Sequence, residues 1–310
     1  MEVKIRFTSS KRLPPDVDSL TLGRYAIEPI PEPFDSNLTA TGSYLLRFDD
    51  KYREGETSSN PFKEAALFFS LLSLTWDAEV DVHGTMVNSV LVPSDIVASG
   101  IKPPPTILKT PPDITEHLEA VKRLDPSTAK QFLRACEVYS AALHQTYQNP
   151  TLSFFLLSIA VECLANSVSQ GSGPRERFLA FLTDNSPGFA PLVPHLEFAS
   201  LVREAYDRHR SGFTHGGKEI PQAAVLADRL GRPYVKNIVD GKEVRTPGLR
   251  WFQSLVRHSV LHFLHAAAPG DASPIDHLKE VSMGAGSVML KFKRTPERGS
   301  VITTEDVDID

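Results

Sequence analysis

A chain of 310 residues with 41% hydrophobic and 23% charged side chains excludes a disordered protein, and its length favours two domains over one core. The formal net charge of −5 excludes a uniformly basic surface but hides an uneven split: residues 1–100 carry 9 Lys and Arg against 15 Asp and Glu, while residues 201–257 carry 11 against 6. The longest strongly apolar stretch, Phe154 to Val161, is far too short to span a bilayer and runs into Glu162, so no membrane role is expected.

The chain opens on Met-Glu-Val-Lys-Ile-Arg-Phe, which lacks the basic end and apolar block of a secretory signal. Residues 1–100 are expected to form a small α+β domain. Val3 to Thr8, Leu20 to Glu28 and Ser43 to Asp49 read as strands, punctuated by Pro14-Pro15 and the prolines from Pro29 to Pro33. Asn60-Pro61 pairs a helix cap with a first-turn proline, and Ala65, Phe68, Phe69 and Leu72 give that helix one buried face. Ala78 to His83 and Met86 to Val92 suggest a hairpin around Gly84. His83 stands alone, which fits a structural or exposed role better than a ligand role.

Pro103-Pro104-Pro105 and Pro111-Pro112 predict a stiff extended linker over 101–124. From 125 to 268 the pattern becomes that of an all-α antiparallel helical bundle. Asp125-Pro126 starts a helix whose face is Phe132, Cys136, Tyr139, Leu143 and Tyr147. Asn149-Pro150 starts the next. Its apolar face is Leu152, Phe155, Leu156, Ile159, Cys163 and Leu164, with Ser158, Glu162 and Asn166 on another side. Cys136 and Cys163 are the only cysteines. Their apolar helical surroundings suit buried free thiols in a reducing compartment, and the protein is expected to be cytoplasmic.

Further helices are expected over Arg175 to Leu182 and Leu196 to about Arg210, and from Thr246-Pro247 to about Ala268. A long connection, Gly216 to Arg245, separates the last two, with one helical turn at Ala223 to Arg229 and a turn at Asp240-Gly241; connections of that length are often functional. Residues 269–310 form an extension with a possible strand at Ser287 to Phe292 and an acidic end expected to be disordered.

The chemistry concentrates in Tyr206-Asp-Arg-His-Arg210-Ser-Gly-Phe-Thr-His215-Gly216-Gly217. Arg203, Tyr206 and Arg210 fall at i, i+3 and i+7 and share a helical stripe. Gly212 is expected to end the helix and let His215 fold back, while Gly216 and Gly217 leave room for a nucleotide. A fixed guanidinium and a titratable imidazole on one phosphate suffice to cut RNA without a metal. The surplus of cations around them can hold a polyanion, although a solvated basic loop explains the same composition.

These residues resemble the HEPN superfamily, and within it the ApeA-like HEPN proteins. The Tyr-x-x-x-Arg-Ser-x-x-x-His-Gly ending of one helix is matched by Tyr206, Arg210, Ser211, His215 and Gly216, and the apolar-Glu-x-Leu signature of an earlier helix by Val161-Glu162-Cys163-Leu164. The likeness covers about 125 to 268 and, more loosely, the first hundred residues. It implies a cofactor-free, metal-independent endoribonuclease working as a homodimer, with Arg and His of both subunits in a shared cleft. A role in phage defence, with residues 1–100 as sensor, is implied by the resemblance alone. Arg210, His215 and Glu162 are the expected catalytic residues, and Arg203, Tyr206, Ser211, Gly216 and Gly217 the expected contacts to RNA. DNA, lacking the 2′-hydroxyl, should resist. Ser211 stands where several relatives carry Asn, Asp or His, and Gly217 replaces a tyrosine nucleotidylated in one toxin branch, so that route of regulation is not expected.

Two other readings stay open. Arg210 and His215 could serve a non-catalytic dimer or a nucleotide-binding module. His258, His262 and His265, at i, i+4 and i+7 of the final helix, have zinc-like spacing. No glutamate follows His258 as in a zinc protease, so packing or exposure is the plainer account and no metal is expected.

Overall fold

The computed structural model describes residues 2–30, 42–49, 61–87, 90–93, 106–107, 114–168, 173–211, 222–239, 241–269 and 277–278. The fold is mixed α+β. Strands β1 (Glu2–Ser9), β3 (Leu20–Leu22), β4 (Tyr25–Pro29), β5 (Gly42–Asp49), β6 (Val80–Val87) and β7 (Val90–Pro93) form one antiparallel sheet in the order β3-β4-β5-β1-β6-β7. Two-residue strands β2 (Lys11–Arg12) and β8 (Thr106–Ile107) pair separately. Alternation decides the sheet's buried face, since Val3, Ile5 and Phe7 of β1 and Tyr44, Leu46 and Phe48 of β5 all point one way into the core.

Helix α1 (Pro61–Trp76) covers that face. Phe69 meets Phe7 with ring centroids 4.9 Å apart, and Phe68 stacks on Tyr25 at 4.4 Å. The expected face of Ala65, Phe68, Phe69 and Leu72 is buried, and so are Leu67, Leu71, Leu74 and Trp76 on the other sides. A helix apolar all round needs cover all round. The second cover is α3 (Pro126–Gln145), so one hydrophobic core runs from the sheet through α1 into the helices beyond.

Asp125 caps α3 as its sequence predicts, accepting from the amides of Ser127 and Thr128 at 3.0 Å each. Asn149 does the same for α4 (Pro150–Val168), accepting from Leu152 N at 3.0 Å. The rest are α2 (Ile114–Arg123), α5 (Pro174–Asp184), α6 (His195–Glu204), α7 (Gln222–Arg229) and α8 (Leu249–Ala267). No helix among the described residues is long and apolar enough to cross a membrane.

Several expectations shift. Leu20 to Glu28 is a hairpin rather than one strand, reversing at Gly23 with φ +63°. Gly84 does not turn a hairpin: β6 runs through it because β1 pairs along both sides, with the register slipping between Arg6 and Phe7. His83 falls within β6. Of the linker expected over 101–124, residues 114–123 are helix α2, whose Ile114, Ala120 and Val121 are fully buried. Tyr147 leaves the apolar face of α3, which ends at Gln145, and is 52% exposed.

On α4 the burial is rotated from the expected face. Phe154, Leu157, Ser158 and Val161 are fully buried while Leu152, Phe155, Ile159 and Cys163 are half-buried, because α3, α5 and α8 all pack on this helix. Buried Ser158 is satisfied by donating to Phe154 O at 3.1 Å.

The connection expected from Gly216 to Arg245 is largely ordered. After α7, β9 (Tyr234–Val239) and β10 (Lys242–Pro247) form an antiparallel hairpin, with Gly241 at φ +75°. Thr246-Pro247 closes β10 instead of starting the last helix. The pairing Pro247↔Tyr234 holds it in the strand. Asp228 of α7 caps α8 from outside, accepting from Arg250 N at 3.1 Å. Gly248 makes that approach possible, since a Cβ there would lie 2.5 Å from Asp228 Oδ1.

Asn60, the strand proposed at Ser287 to Phe292 and the acidic end lie outside the described residues.

Candidate functional site

Arg210 and Glu162 are 48 residues apart in sequence and in direct contact in the fold. Glu162 stands on the fourth turn of α4, and Arg210 ends a π-helical turn, Ala205–Arg210, that continues α6. The amide of Ser211 bonds to Tyr206 O, five residues back. That extra residue widens the turn, a feature that often accompanies functional sites. Tyr206 stays in the core at 8% exposure, beside Phe178 of α5 at a ring distance of 5.1 Å, while the Arg210 guanidinium lies 5.5 Å above the Tyr206 ring.

Arg210 Nη2 donates to Glu162 Oε2 at 3.0 Å. Nε lies 2.7 Å from Oε1 but off the alignment of a good hydrogen bond, so the pair is one bond plus one close ionic contact rather than an ideal fork. The two side chains are only 20% and 12% exposed. At that depth their attraction is little screened by salt, and removing either partner leaves a poorly solvated charge.

The surroundings are polar on the outside and aromatic beneath. Arg175 pairs with Asp207 at 2.7 Å, with both side chains about 40% exposed, and Arg177 Nε donates to Asn166 Oδ1 at 3.1 Å. The exposed pair contributes little to stability, yet it ties α5 to the π turn. Burial raises the Tyr206 hydroxyl above its usual range, Arg210 opposes this, and Glu162 and Asp207 add to it. Burial also raises the Cys163 thiol, against the opposing charge and hydrogen bond of Arg134. Both cysteines are free, Cys136 buried and Cys163 half-buried.

The remaining expected site residues divide. Ser211 continues the helix and is half-buried. Of the expected stripe, Arg210 lies over the Tyr206 ring, Tyr206 is buried and Arg203 is exposed. His215, Gly216 and Gly217, with the fold-back expected after Gly212, lie outside the described residues. Arg175, Phe178 and Asp207 complete the surroundings and were missed. Arg175 and Phe178 come from α5, and Asp207, next to Tyr206 in sequence, gains its role only through the pairing with Arg175, for which local spacing gives no signal.

Of the three histidines of α8, His258 and His262 stack with ring centroids 6.4 Å apart, and each of the three also meets a group of its own. His258 packs 5.6 Å from Phe189, and burial lowers its basicity, aided by His262 and Arg257. A His262 ring nitrogen lies 3.3 Å from Asn185 Oδ1, and His265 lies 3.7 Å from Glu116. Among the described residues no group of three or more His, Cys, Asp or Glu side chains gathers in a metal-holding arrangement.

Comparison of the chain with family models, curated proteins and solved structures finds no match.

Proposed function

We propose that this chain is a metal-independent endoribonuclease of HEPN type, acting on RNA as a homodimer. The observation that carries the reading is the Glu162–Arg210 contact, which joins the two separated sequence signals on which the resemblance rests. His215, five residues past Arg210, takes the proton of a ribose 2′-hydroxyl as its oxygen attacks the adjacent phosphorus. The bond from phosphorus to the 5′-oxygen breaks, and that oxygen takes up a proton. Products carry a 2′,3′-cyclic phosphate and a 5′-hydroxyl, and DNA is not cut. Arg210 meets the non-bridging oxygens, where negative charge builds in the transition state. Its guanidinium is planar, always charged and shaped to meet two phosphate oxygens at once. Glu162 acts as a positioning residue that fixes its plane. In this reading the protein is cytoplasmic and serves phage defence, with residues 1–100 sensing the trigger.

The test is a mixed RNA pool incubated with purified protein in EDTA, followed by sequencing of the new ends. Wild type should cut, and His215→Ala and Arg210→Ala should each lose about two orders of magnitude or more. A second reading has its own support, since Glu162 already offsets the Arg210 charge. A non-catalytic dimerisation or nucleotide-binding module uses the same pair as a brace. Cleavage lost in Arg210→Ala with the dimer intact supports the enzyme; an inactive wild type supports the module.

A further inference from the structure

The turn after α7 and the start of α8 meet closely. Arg232 N donates to Ala227 O and Gly248 N to Pro233 O, both at 2.9 Å, and Asp228 reaches Arg250 N. Arg229, Arg232 and Arg250 are all exposed at this junction. Within the described part of 222–250 there are six Lys and Arg against two carboxylates, Asp228 and Glu243. Both acids are engaged, Asp228 by the amide of Arg250 and Glu243 by Lys236 at 3.2 Å, and Glu197 of α6 faces Arg245 at 3.8 Å. Arg229 and Arg232 have no ion pair among the described residues. Arg250 donates to a neutral group, the hydroxyl of Tyr147, at 3.3 Å, while its charge also acts on the Asp228 carboxylate. The Tyr147 side chain is 52% exposed although it sits between two long helices, so an aromatic surface stands beside surplus guanidinium charge.

We infer that Arg229, Arg232, Arg250 and Tyr147 form a binding surface for single-stranded RNA, separate from the Arg210 site. It rests on the ribonuclease reading only in naming RNA as the polyanion. Guanidinium groups take phosphates in a salt-dependent way, and an exposed ring stacks on an unpaired base, which a duplex keeps inside its own stack. Tyr147 lies just before Pro150, and Glu162 is twelve residues further along α4, about 18 Å at the rise of an α-helix. A strand held at both places would span much of α4, so the patch supplies affinity away from the bond that is cut.

The experiment is fluorescence anisotropy with a labelled single-stranded 2′-O-methyl RNA, which lacks the attacking hydroxyl and stays intact, over a range of salt, with circular dichroism to show that each variant is folded. Arg229→Ala with Arg232→Ala should weaken binding about tenfold at low salt and reduce the slope of log affinity against log salt by about 1.4, two single-strand phosphate contacts at about 0.7 each. Arg229→Lys with Arg232→Lys should restore most of both. Tyr147→Ala should cost about tenfold, on the order of one lost stack, while Tyr147→Phe keeps the ring and most of the affinity. Unchanged affinity and slope in the double alanine variant would overturn the inference. So would duplex RNA bound as tightly as the single strand with no effect of Tyr147→Ala. If RNA binds through these residues but wild type cuts none, the ribonuclease reading fails and the patch stands. If cleavage depends on Arg210 while affinity ignores Arg229, Arg232 and Tyr147, the patch fails alone.

Discussion

Two ionic clusters sit at helix ends in this protein, and they are built differently. At the end of α1, Asp77 takes φ +49°, and the amide of Ala78 bonds back to Ser73 O at 3.2 Å, closing the helix in the left-handed manner. Cations from two other elements meet the carbonyls that α1 leaves open: Lys11 Nζ on Trp76 O at 2.7 Å, Arg257 Nε on Leu74 O at 2.8 Å and Arg257 Nη2 on Thr75 O at 2.6 Å. Asp77 Oδ1 accepts from both the Tyr139 hydroxyl and Gln253 Nε2 at 2.7 Å. This knot joins β2, α1, α3 and α8. Arg210 instead meets the Glu162 carboxylate and the Tyr206 ring, on a turn of altered pitch next to the segment that carries His215. A carboxylate that gathers cations and donors from three other elements holds a fold together. The Glu162–Arg210 contact ties α4 to the π turn alone.

The sharpest way to break this contrast is Asp77→Ala. Removing the shared acceptor strands the Tyr139 hydroxyl and the Gln253 amide and takes the counter-charge from Lys11, which keeps Trp76 O, so a loss of about 3 kcal/mol is expected in denaturant unfolding, whatever happens at Arg210. A loss below about 1 kcal/mol would mean the knot is dispensable. The acid limb should flatten in the same variant. Burial raises the Asp77 carboxyl, but Lys11, the hydrogen bonds from Tyr139 and Gln253, and Arg257 together outweigh it and leave it below its ordinary value. A depressed carboxyl stabilises the fold above its unfolded pKa, near 3.9, and loses that contribution as pH falls through the folded value.

Glu162→Gln tests the other side of the comparison. Stability should fall by about 1–3 kcal/mol, since the half-buried guanidinium keeps a neutral acceptor. RNA cleavage should fall by about two orders of magnitude through misplacement of Arg210, mainly in kcat. Equal loss of stability and full retention of cleavage would make the pair a brace and nothing more.

The smallest effect belongs to a second tie between α3 and the sheet. His144 Nε2 lies 3.1 Å from Asp81 Oδ1 and its Nδ1 2.8 Å from Ser140 O. Burial lowers the basicity of His144, yet the bonds to Asp81 and Ser140 and the charges of Asp81 and Glu79 raise it further, for a net increase. A raised histidine contributes fully below its unfolded pKa, about 6.5, and the contribution disappears as pH rises through the folded value. The expected loss is under about 1 kcal/mol, visible as a slope in melting temperature above pH 6.5 that His144→Gln removes.

Elements with local punctuation were legible. Asp125-Pro126 and Asn149-Pro150 place their helices because the cap bonds reach only two or three residues ahead. The β9–β10 hairpin carried the same kind of signal, Asp240-Gly241 between runs rich in β-branched residues, and was underread as a bare turn in a loop. Thr246-Pro247 misled because strand pairing with Tyr234 overrides a start signal that depends only on neighbours. In the site, Tyr206, Arg210 and Glu162 could be named from motif alone. Arg175, Phe178 and Asp207 could not, because no pattern along α5 or α6 encodes their meeting.

The sequence by itself determined where the helices capped by Asp125 and Asn149 begin, which face of β1 and β5 is buried, and which few residues carry acid, base and cation chemistry, since each of these depends on bonds and side chains within a turn or a pleat. Only the tertiary structure decided that Glu162 meets Arg210, that α1 is covered on both sides, and that Asp228 caps a helix it does not belong to. Those are contacts between elements remote along the chain, fixed by how volumes pack and by where a change of helical pitch turns a side chain.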